Sequence, residues 1–227
     1  MSASTPLDRP AWSALSGPWA ALTIANGPAR RLAPDFGLFA AAPDQGPESL
    51  AGLGGLVQSH GEVGLMESEP WPAAPGATAT HAVCWQMVAL APPPPPDPDF
   101  EILPLTDADA PQMLELATLT KPGPFFGRTH ELGAFIGVKE GGRLVAMAGE
   151  RMRATGFTEV SAVCTHPDYR GRGYAAALMS RVAQKIFARG ERPFLHTYAD
   201  NLGAIALYEK LGFAFRREII LTLLAPA

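Results

Sequence analysis

The chain has 227 residues, enough for one large domain or two small ones. A hydrophobic content of 47% and a charged content of 18% are typical of a globular protein and exclude an intrinsically disordered chain. The formal charge of −4 argues against a general nucleic-acid-binding protein, and no apolar run approaches the roughly 18 residues that a membrane helix needs. Because the opening MSASTPLDRP lacks the basic and apolar segments of a signal peptide, we expect a cytoplasmic protein with no nucleic-acid or membrane partner.

The average composition hides two unlike halves. Residues 1–100 contain 16 of the 23 prolines, 9 acidic residues, 3 arginines and no lysine, which gives a formal charge of −6. Residues 101–227 contain 15 basic and 13 acidic residues and carry a charge of +2. The second half is therefore the better candidate for binding an anionic ligand.

A run of prolines, APPPPPDP, separates the halves. Consecutive prolines fix φ and remove hydrogen-bond donors, so this segment is expected to be an extended, semi-rigid spacer. We predict a first domain over residues 1–91, a proline-rich linker over 92–98 and a second domain over 99–227. A proline-rich recognition sequence for another protein is the alternative interpretation of the run.

The first half gives weak structural signals. A helical pattern interrupted by Gly17-Pro18 covers Ala11–Ile24, and a second covers Glu48–Gln58. Strand patterns cover Glu62–Glu67 and Ala82–Leu90. No residue cluster in this half resembles a catalytic site. Its four tryptophans, which are all those of the chain, are most simply interpreted as core residues.

The second half has a clear order of elements. In chain order we predict a helix capped by Asp107 or Asp109 and ending near Leu119, strands at Phe135–Lys139, Arg143–Arg151 and Phe157–Thr165, a helix over Gly173–Arg189, a strand at Pro193–Tyr198, a helix over Asn201–Leu211 and a strand at Phe213–Leu224. This order predicts the α/β class, with a sheet of mixed strand directions in an α+β arrangement.

The most informative segment joins the third of these strands to the next helix and reads VCTHPDYRGRGYA. Glycine lets a backbone approach a ligand closely, and the amides at the start of a helix attract phosphate oxygens. Arg170 and Arg172 add charges that pair with such oxygens. Neither GxxxxGK[ST] nor GxGxxG is present, so a nucleotide hydrolase or a Rossmann dehydrogenase is not supported. An ordinary strand-to-helix turn with solvated arginines is the alternative for this loop alone.

Two motifs give the loop a context. The first is the Arg-x-x-Gly-x-Ala of Arg170, Gly173 and Ala175, and the second is Asn201-x-x-Ala-x-x-Leu-Tyr208-x-x-x-Gly-Phe. With this element order, residues 100–227 resemble the GNAT superfamily of acetyl-CoA-dependent N-acetyltransferases. The resemblance implies a GNAT-like fold, acetyl-CoA as the acyl donor, no metal, and direct attack of an acceptor amine on the thioester. The first half is interpreted as a smaller, degenerate copy of that fold, because both halves end in a long apolar strand.

The resemblance also implies roles for individual residues. Tyr208 matches the general acid of the family, and Glu159 or His196 is the candidate base, with water as the remaining option. Phe125 and Phe126 are expected to shape the pocket of the acceptor amine, and packing between the two halves is the alternative interpretation. The residues expected to contact the pantetheine arm or the pyrophosphate of the cofactor are Val163, Cys164, Thr165, Arg170, Gly171, Arg172, Gly173, Tyr174, Ala175, Ala176 and Asn201.

Each of these residues also has a structural interpretation. Tyr208 is alternatively a packing residue, and Glu150 is a weaker candidate base to which no motif points. Strand alternation turns the side chain of Cys164 away from Glu159, which favours a small buried filler over a nucleophile. The two cysteines allow at most one disulfide and lack the spacing of metal ligands.

Two other function classes compete with the enzyme. One is a non-catalytic acyl-CoA-binding regulatory module, and the other is an interaction protein whose acidic first half binds a partner. Because a scaffold needs neither Tyr208 nor the complete loop, their joint presence favours an acetyltransferase. The sequence does not identify the acceptor and carries no signal for an oligomeric state.

Overall fold

The structure is a computed structural model that describes residues 5–227, so the first four residues of the opening MSASTPLDRP, which bear on the signal-peptide prediction, lie outside it. The helices are α1 (Pro10–Ser16), α2 (Pro47–His60), α3 (Ala110–Thr120), α4 (Tyr174–Ala188) and α5 (Leu202–Lys210). The strands are β1 (Thr23–Asn26), β2 (Ala29–Leu32), β3 (Ala40–Ala41), β4 (Val63–Glu67), β5 (Ala77–Ala89), β6 (Leu103–Leu105), β7 (Phe135–Glu140), β8 (Arg143–Ala154), β9 (Phe157–Thr165), β10 (Arg192–Tyr198) and β11 (Phe213–Pro226). The predicted α/β class with a mixed sheet is confirmed.

The chain divides into two compact units. The first unit contains the chain up to Trp85 together with Met152–Thr155 and Arg217–Ala227, and the second contains Gln86–Arg151 and Gly156–Arg216. Strands β5 and β11 therefore each contribute residues to both units. The proline-rich segment 92–98 lies inside the second unit.

The first unit is built around helix α2. Strands β1, β2 and β3 form an antiparallel sheet, and β4 pairs antiparallel with the last part of β11. The helix buries Leu53, Leu56 and Val57 in a core that also contains Val63 and Leu224. The final strand thus completes the core of the unit that contains the start of the chain.

The second unit carries the elements that the sequence predicts most clearly. Its strands follow the order β11-β5-β10-β9-β8-β7-β6, with β9 and β10 parallel and β6, β7 and β8 antiparallel. Helix α3 packs Met113 and Leu116 against a cluster on β7, β8 and β9. Helix α4 buries Leu178, Val182 and Ile186, the three residues whose spacing of four predicts an amphipathic helix. Its end at Ala188 is followed by Gly190, which adopts a φ of 77°.

The order of elements is repeated between the units. In each, a helix is followed by three strands, a second helix and further strands, with α1, β1, β2, β3 and α2 corresponding to α3, β7, β8, β9 and α4. A parallel bridge between Phe39 and Gly64 corresponds to the parallel pairing of β9 with β10. This repeat supports the interpretation of the first half as a degenerate copy, which stays a prediction.

The sequence-based assignment is wrong in part of the first half. The helical region predicted over Ala11–Ile24 ends at Ser16, just before its predicted interruption, and it does not resume, because Thr23 begins a strand. Gly17 and Pro18 interrupt the helix, and the two-residue turn Gly27-Pro28 then pairs β1 with β2. The short strand β6 is absent from the predicted elements, because three residues with a central proline carry almost no strand signal.

Candidate active site

The loop that leads into helix α4 is exposed to solvent. Strand β9 leads through a short 3-10 turn at Pro167–Tyr169 into the exposed loop Arg170–Gly173. Gly171 and Gly173 have φ angles of 78° and 79°, and a Cβ added at either position would meet no atom within 4 Å. Gly173 is the N-cap residue of α4 and supplies no side chain that could occupy the first-turn amides. These exposed amides are suited to binding an anion.

Strands β9 and β10 pair only at their first residues. The register runs from Arg192↔Phe157 to Phe194↔Glu159, although both strands continue further. Ala162 in β9 has a φ of 52°, which is unusual for a residue with a side chain and indicates a bulge. The alternation that predicts Glu159 and Val163 on one face does not continue through such a bulge. The two strands part on the side that leads to the loop.

The three residues after the bulge differ in their environment. The side chain of Cys164 is 7% exposed and packs in the cluster beneath α3, whereas Val163 and Thr165 are half-buried. Burial raises the pKa of the Cys164 thiol to about 11, so it stays protonated and unreactive near neutral pH. Cys164 is thus available to a ligand mainly through its backbone.

Several residues expected to bind the cofactor also have structural partners. The Arg172 guanidinium lies over the Tyr169 ring, 4.8 Å from its centroid. The buried Tyr174 hydroxyl donates a hydrogen bond to Glu140 at 2.8 Å. Asn201 is the N-cap of α5, and its Oδ1 accepts a hydrogen bond from the amide of Ala204 at 3.4 Å. Arg170 is exposed in the loop, and Ala175 and Ala176 are half-buried in the first turn of α4.

The loop expected to shape the acceptor pocket contains Phe125 and Phe126, both half-buried. The Phe125 ring packs edge-on against Phe135 with 5.8 Å between centroids, so it belongs partly to the core beneath α3. The amide of Phe126 donates to the Thr129 hydroxyl at 2.7 Å, which fixes the backbone of this loop.

Glu159 lies in a buried ion pair. Its carboxylate accepts hydrogen bonds from Nε and Nη2 of Arg151 at 2.9 and 3.0 Å, and its side chain is 1% exposed. Burial alone raises the pKa of Glu159, but the Arg151 charge and the hydrogen bonds from His196 and Arg151 outweigh burial and lower the pKa to about 2. Glu159 is therefore ionised at neutral pH and is a weak base.

The two candidate bases contact each other. Nδ1 of His196 lies 2.9 Å from Oε1 of Glu159, and Nε2 lies 3.0 Å from Nε2 of Gln86. The Gln86 oxygen accepts a hydrogen bond from Nη1 of Arg216 at 2.6 Å. A continuous polar chain thus links Arg151, Glu159, His196, Gln86 and Arg216 inside the second unit.

Tyr208 is not part of this chain. Its ring packs against Phe213 with 6.5 Å between centroids, and across residues 5–227 its hydroxyl has no hydrogen-bond partner. Burial raises the pKa of the Tyr208 phenol, which keeps the proton in place at neutral pH.

Glu150 precedes Arg151 on β8 and pairs with a different residue. Its two oxygens accept hydrogen bonds from Nη1 and Nη2 of Arg189 at 2.8 and 3.0 Å, which ties the end of α4 to β8. Both carboxylate oxygens of Glu150 are therefore engaged in a contact that holds the helix to the sheet.

Sequence reasoning misses three members of the polar chain and the bulge. Arg151, Gln86 and Arg216 belong to no motif, and Gln86 and Arg216 are 130 positions apart in the sequence. The bulge falls on an alanine, where no glycine signals a positive φ. Gln86 lies in a run of four buried residues on β5, and Arg216 is half-buried on β11, so no alternation along either strand could have placed them beside His196.

The described part of the chain holds neither a metal-ligand cluster nor a disulfide. Between residues 5 and 227, no group of three or more His, Cys, Asp or Glu side chains is placed to hold a metal ion. Both cysteines in this range are buried and neither forms a disulfide. Over the same residues, no helix combines the length and the apolar character required to cross a membrane.

Comparisons with known proteins bear on the family and the fold of the chain. A family model described as the acetyltransferase (GNAT) family matches residues 98–213, just over half of the chain. A crystal structure of a GNAT-family protein from Novosphingobium aromaticivorans DSM 12444 is 48% identical, with a TM-score of 0.91, and the match covers 99% of this chain and 100% of that one. A GCN5-related N-acetyltransferase from Kribbella flavida has a TM-score of 0.63 over 96% of this chain and 94% of its own, but at 20% identity it shows the fold alone.

A curated relative gives a local match. An acetyltransferase from Sodalis glossinidius (strain morsitans) is 46% identical over 57 residues, which are 25% of this chain and 40% of that protein. The chain thus matches about two fifths of the length of this relative. The family model and the full-length similarity to a GNAT-family structure lead to one conclusion: the chain belongs to the GNAT acetyltransferase family.

Proposed function

We propose that this protein transfers an acetyl group from acetyl-CoA to a primary amine by direct attack in a ternary complex. The observation that carries the proposal is the parting of β9 and β10 after Phe194↔Glu159, on the side that leads to the open start of α4. An extended acyl-CoA chain fits such a gap, with its amides along β9 and its phosphates at the helix.

The cofactor is proposed to be held mainly by backbone groups. Amides and carbonyls of Val163, Cys164 and Thr165 would pair with the pantetheine arm. The loop from Arg170 through Gly171, Arg172, Gly173, Tyr174, Ala175 and Ala176 would hold the pyrophosphate, through amides and the two arginines. The side-chain oxygen of Asn201 caps α5, so its amide nitrogen is the group left to contact the cofactor.

The proposed reaction needs one base, one acid and an oxyanion site. The neutral amine attacks the thioester carbon, and a backbone amide near Val163 stabilises the oxyanion of the tetrahedral intermediate. Collapse breaks the C–S bond, and the Tyr208 phenol donates its proton to the departing sulfur. The proton lost by the acceptor nitrogen goes to the base. Phe125 and Phe126 are proposed to flank the acceptor.

Of the two candidate bases, His196 is proposed to accept the proton. Glu159 is poorly suited because its pKa is lowered to about 2 and its oxygens are engaged by Arg151 and His196. An ionised carboxylate beside Nδ1 is instead suited to orient an imidazole and to stabilise the imidazolium that forms. Glu159 is therefore proposed as the positioning carboxylate of His196.

A matched pair of glycine variants tests the cofactor site. Gly173 and Gly190 lie at opposite ends of α4, with φ angles of 79° and 77°, and a Cβ added at either position would meet no atom within 4 Å. Valine imposes similar backbone strain at either position, but only Gly173→Val places a branched side chain beside the proposed pyrophosphate. We expect calorimetric titration to show strongly weakened acetyl-CoA binding for Gly173→Val and nearly unchanged binding for Gly190→Val. Equal affinities for the two folded variants would refute the site.

A second experiment separates an enzyme from a non-catalytic acyl-CoA-binding module. The protein is incubated with acetyl-CoA and a pooled library of primary amines while the release of free thiol is measured. Amine-dependent thiol release is the expected result. Binding of acetyl-CoA without transfer to any amine class would favour the non-catalytic module.

A further inference from the structure

Gln86 lies between His196 and Arg216 and falls outside the region that the family model matches. It is fully buried, with its amide nitrogen 3.0 Å from Nε2 of His196 and its oxygen 2.6 Å from Nη1 of Arg216. Gln86 precedes the matched region 98–213, and Arg216 follows it. Both lie in the second unit, so the surroundings of His196 are completed by residues outside the family model.

The orientation of the Gln86 amide follows from the chemistry of Arg216. A guanidinium only donates hydrogen bonds, so Gln86 must turn its oxygen toward Arg216. Its NH2 group then faces His196, and Nε2 of the imidazole must accept a hydrogen bond. On the other side, the Glu159 carboxylate only accepts, so Nδ1 of His196 must donate.

Both ends of the polar chain therefore select the same form of His196. Arg216 acts through Gln86 at Nε2, and Arg151 acts through Glu159 at Nδ1. The Phe194 ring, edge-on with 5.5 Å between centroids, supplies no hydrogen bond to either nitrogen. We propose that Gln86 and Arg216 are positioning residues that hold His196 as the neutral Nδ1–H tautomer, with its lone pair on Nε2.

This inference rests on the proposed function, in which Nε2 of His196 accepts the proton of the acceptor. The Gln86 N–H must break its hydrogen bond to Nε2 of His196 before this nitrogen can accept a proton. Once Nε2 carries the proton, it faces the NH2 group of Gln86, and two donors oppose each other. The amide thus favours return of the proton after each turnover and restores the basic form of the imidazole.

Nitrogen NMR of the histidine-labelled full chain tests the tautomer without an acetyl acceptor. The His196 signals are assigned by their loss in His196→Gln. In the wild-type protein near neutral pH, we expect a pyrrole-type shift for Nδ1 and a pyridine-type shift for Nε2. An Nε2–H tautomer, or an imidazole protonated on both nitrogens, would overturn the inference.

Two variants and a control test the positioning residues. In Gln86→Glu, a carboxylate accepts from both Arg216 and His196, so we expect both imidazole nitrogens to be protonated. In Arg216→Met, the Gln86 amide loses the group that fixes its direction, and we expect signals of both neutral tautomers. Arg217→Met removes the adjacent arginine, which pairs with Asp8, and we expect the His196 signals to match the wild type. An unchanged His196 spectrum in both test variants would contradict the inference.

Kinetics separate this inference from the proposed function. Gln86→Glu and Arg216→Met are expected to lower kcat by about 10- to 100-fold, with little change in acetyl-CoA affinity. The size of this decrease is taken from metal sites, where removing the partner that orients a histidine ligand lowers activity over the same range. If the wild type has the expected tautomer but transfers no acetyl group, the proposed function fails and the tautomer assignment stands. If transfer occurs and both variants keep the wild-type kcat, the positioning role fails alone.

Discussion

The half-buried phenol of Tyr208 suits the release of a thiolate. A coenzyme A thiolate that leaves into a partly dry site is poorly solvated, and a phenol beside the sulfur can supply a hydrogen bond and a proton. Because burial raises the pKa of Tyr208 above its usual value near 10, the phenol is protonated throughout the neutral range. Its packing against Phe213 fixes the ring independently of the hydroxyl.

We predict that Tyr208→Phe separates chemistry from packing. The ring remains and only the hydroxyl is lost, so folding and acetyl-CoA affinity are expected to stay close to the wild type. General acid catalysis contributes about 10²- to 10⁴-fold, and we expect kcat to fall by an amount in that range. Steady-state kinetics and calorimetric titration measure the two effects separately. A wild-type kcat would mean that Tyr208 is a packing residue.

The candidate site residues that the sequence suggests are those with a positional signal. Tyr208 follows a motif, and Glu159 and His196 lie on strands whose bounds the sequence predicts closely. Nothing in the sequence reveals that Glu159 and His196 touch, because contacts between neighbouring strands depend on register. Gln86 is an amide on a strand without any motif, and its role follows only from the two side chains that it contacts.

A buried ion pair joins strands β8 and β9, and a second ion pair with similar geometry is exposed elsewhere in the second unit. Arg151 and Glu159 form a two-pronged contact with side chains 11% and 1% exposed. Arg128 and Glu131 form the same kind of contact, at 2.7 and 2.7 Å, with side chains 50% and 36% exposed. The two ion pairs have similar contact distances but differ in burial. Comparing them therefore separates the effect of desolvation on stability from the effect of the contact itself.

We predict that Glu159→Gln destabilises the protein and Glu131→Gln scarcely does. Removing one partner of a buried ion pair leaves an uncompensated charge and costs about 3–5 kcal/mol, whereas exposed pairs contribute little. The free energy of unfolding at neutral pH is measured from urea curves followed by circular dichroism. Similar losses in the two variants would contradict the effect of burial.

The same pair gives a pH dependence with a defined sign. The pKa of Glu159 is about 2 in the folded protein and near 4.3 in an unfolded chain. A lowered folded-state pKa stabilises the fold above the unfolded value, and this stabilisation is lost as the pH falls from about 4 to 2. The acid-induced loss is expected to be smaller in Glu159→Gln, which has no carboxyl group to protonate at this position.

The two corresponding helices, α2 and α4, begin differently. Before α2, Oδ1 of Asp44 accepts hydrogen bonds from the Gly46 amide at 2.8 Å and from the Ser49 hydroxyl at 2.9 Å. The pKa of Asp44 is lowered, first by the Gly46 amide and then by Ser49. A carboxylate is thus hydrogen-bonded to the N-cap amide and to a first-turn hydroxyl at the start of α2, whereas α4 starts at a glycine N-cap without a side-chain hydrogen bond.

The elements predicted well are those with strong local patterns. The sequence predicts the bounds of β9 and the start of β11 to the residue, since β-branched and aromatic runs are flanked there by turn residues. Strands β1 and β2 escape prediction because each has only four residues and neither shows an alternation of apolar and polar residues. They are stabilised by packing against α2, which a local pattern does not reveal.

At the scale of the molecule, β5 limits where the chain can be divided. Its residues from Gln86 to Ala89 belong to the second unit, where β5 lies between β10 and β11. A fragment over residues 98–227 lacks this strand and would leave the facing backbone groups of its two neighbours unpaired. The predicted domain boundary at 92–98 can therefore be tested with fragments.

We predict that fragment 98–227 neither unfolds cooperatively nor binds acetyl-CoA with the affinity of the full chain. Fragment 86–227 restores the missing residues of β5 and is the matched control, in which more of both properties should return. Thermal circular dichroism and calorimetric titration provide the two measurements. A monomeric fragment 98–227 with cooperative unfolding and full affinity would instead support a domain boundary at the proline-rich segment.

The pairing of β4 with β11 has a consequence for the time course of synthesis. Val63–Glu67 pair with Ile220–Leu224, so a strand made early waits for a partner made more than 150 residues later. Many domains fold from the N-terminus while the ribosome is still elongating the chain. Here the first unit lacks its final strand until β11 has left the ribosome. Its nascent form must keep an unpaired strand edge away from neighbouring chains throughout that interval.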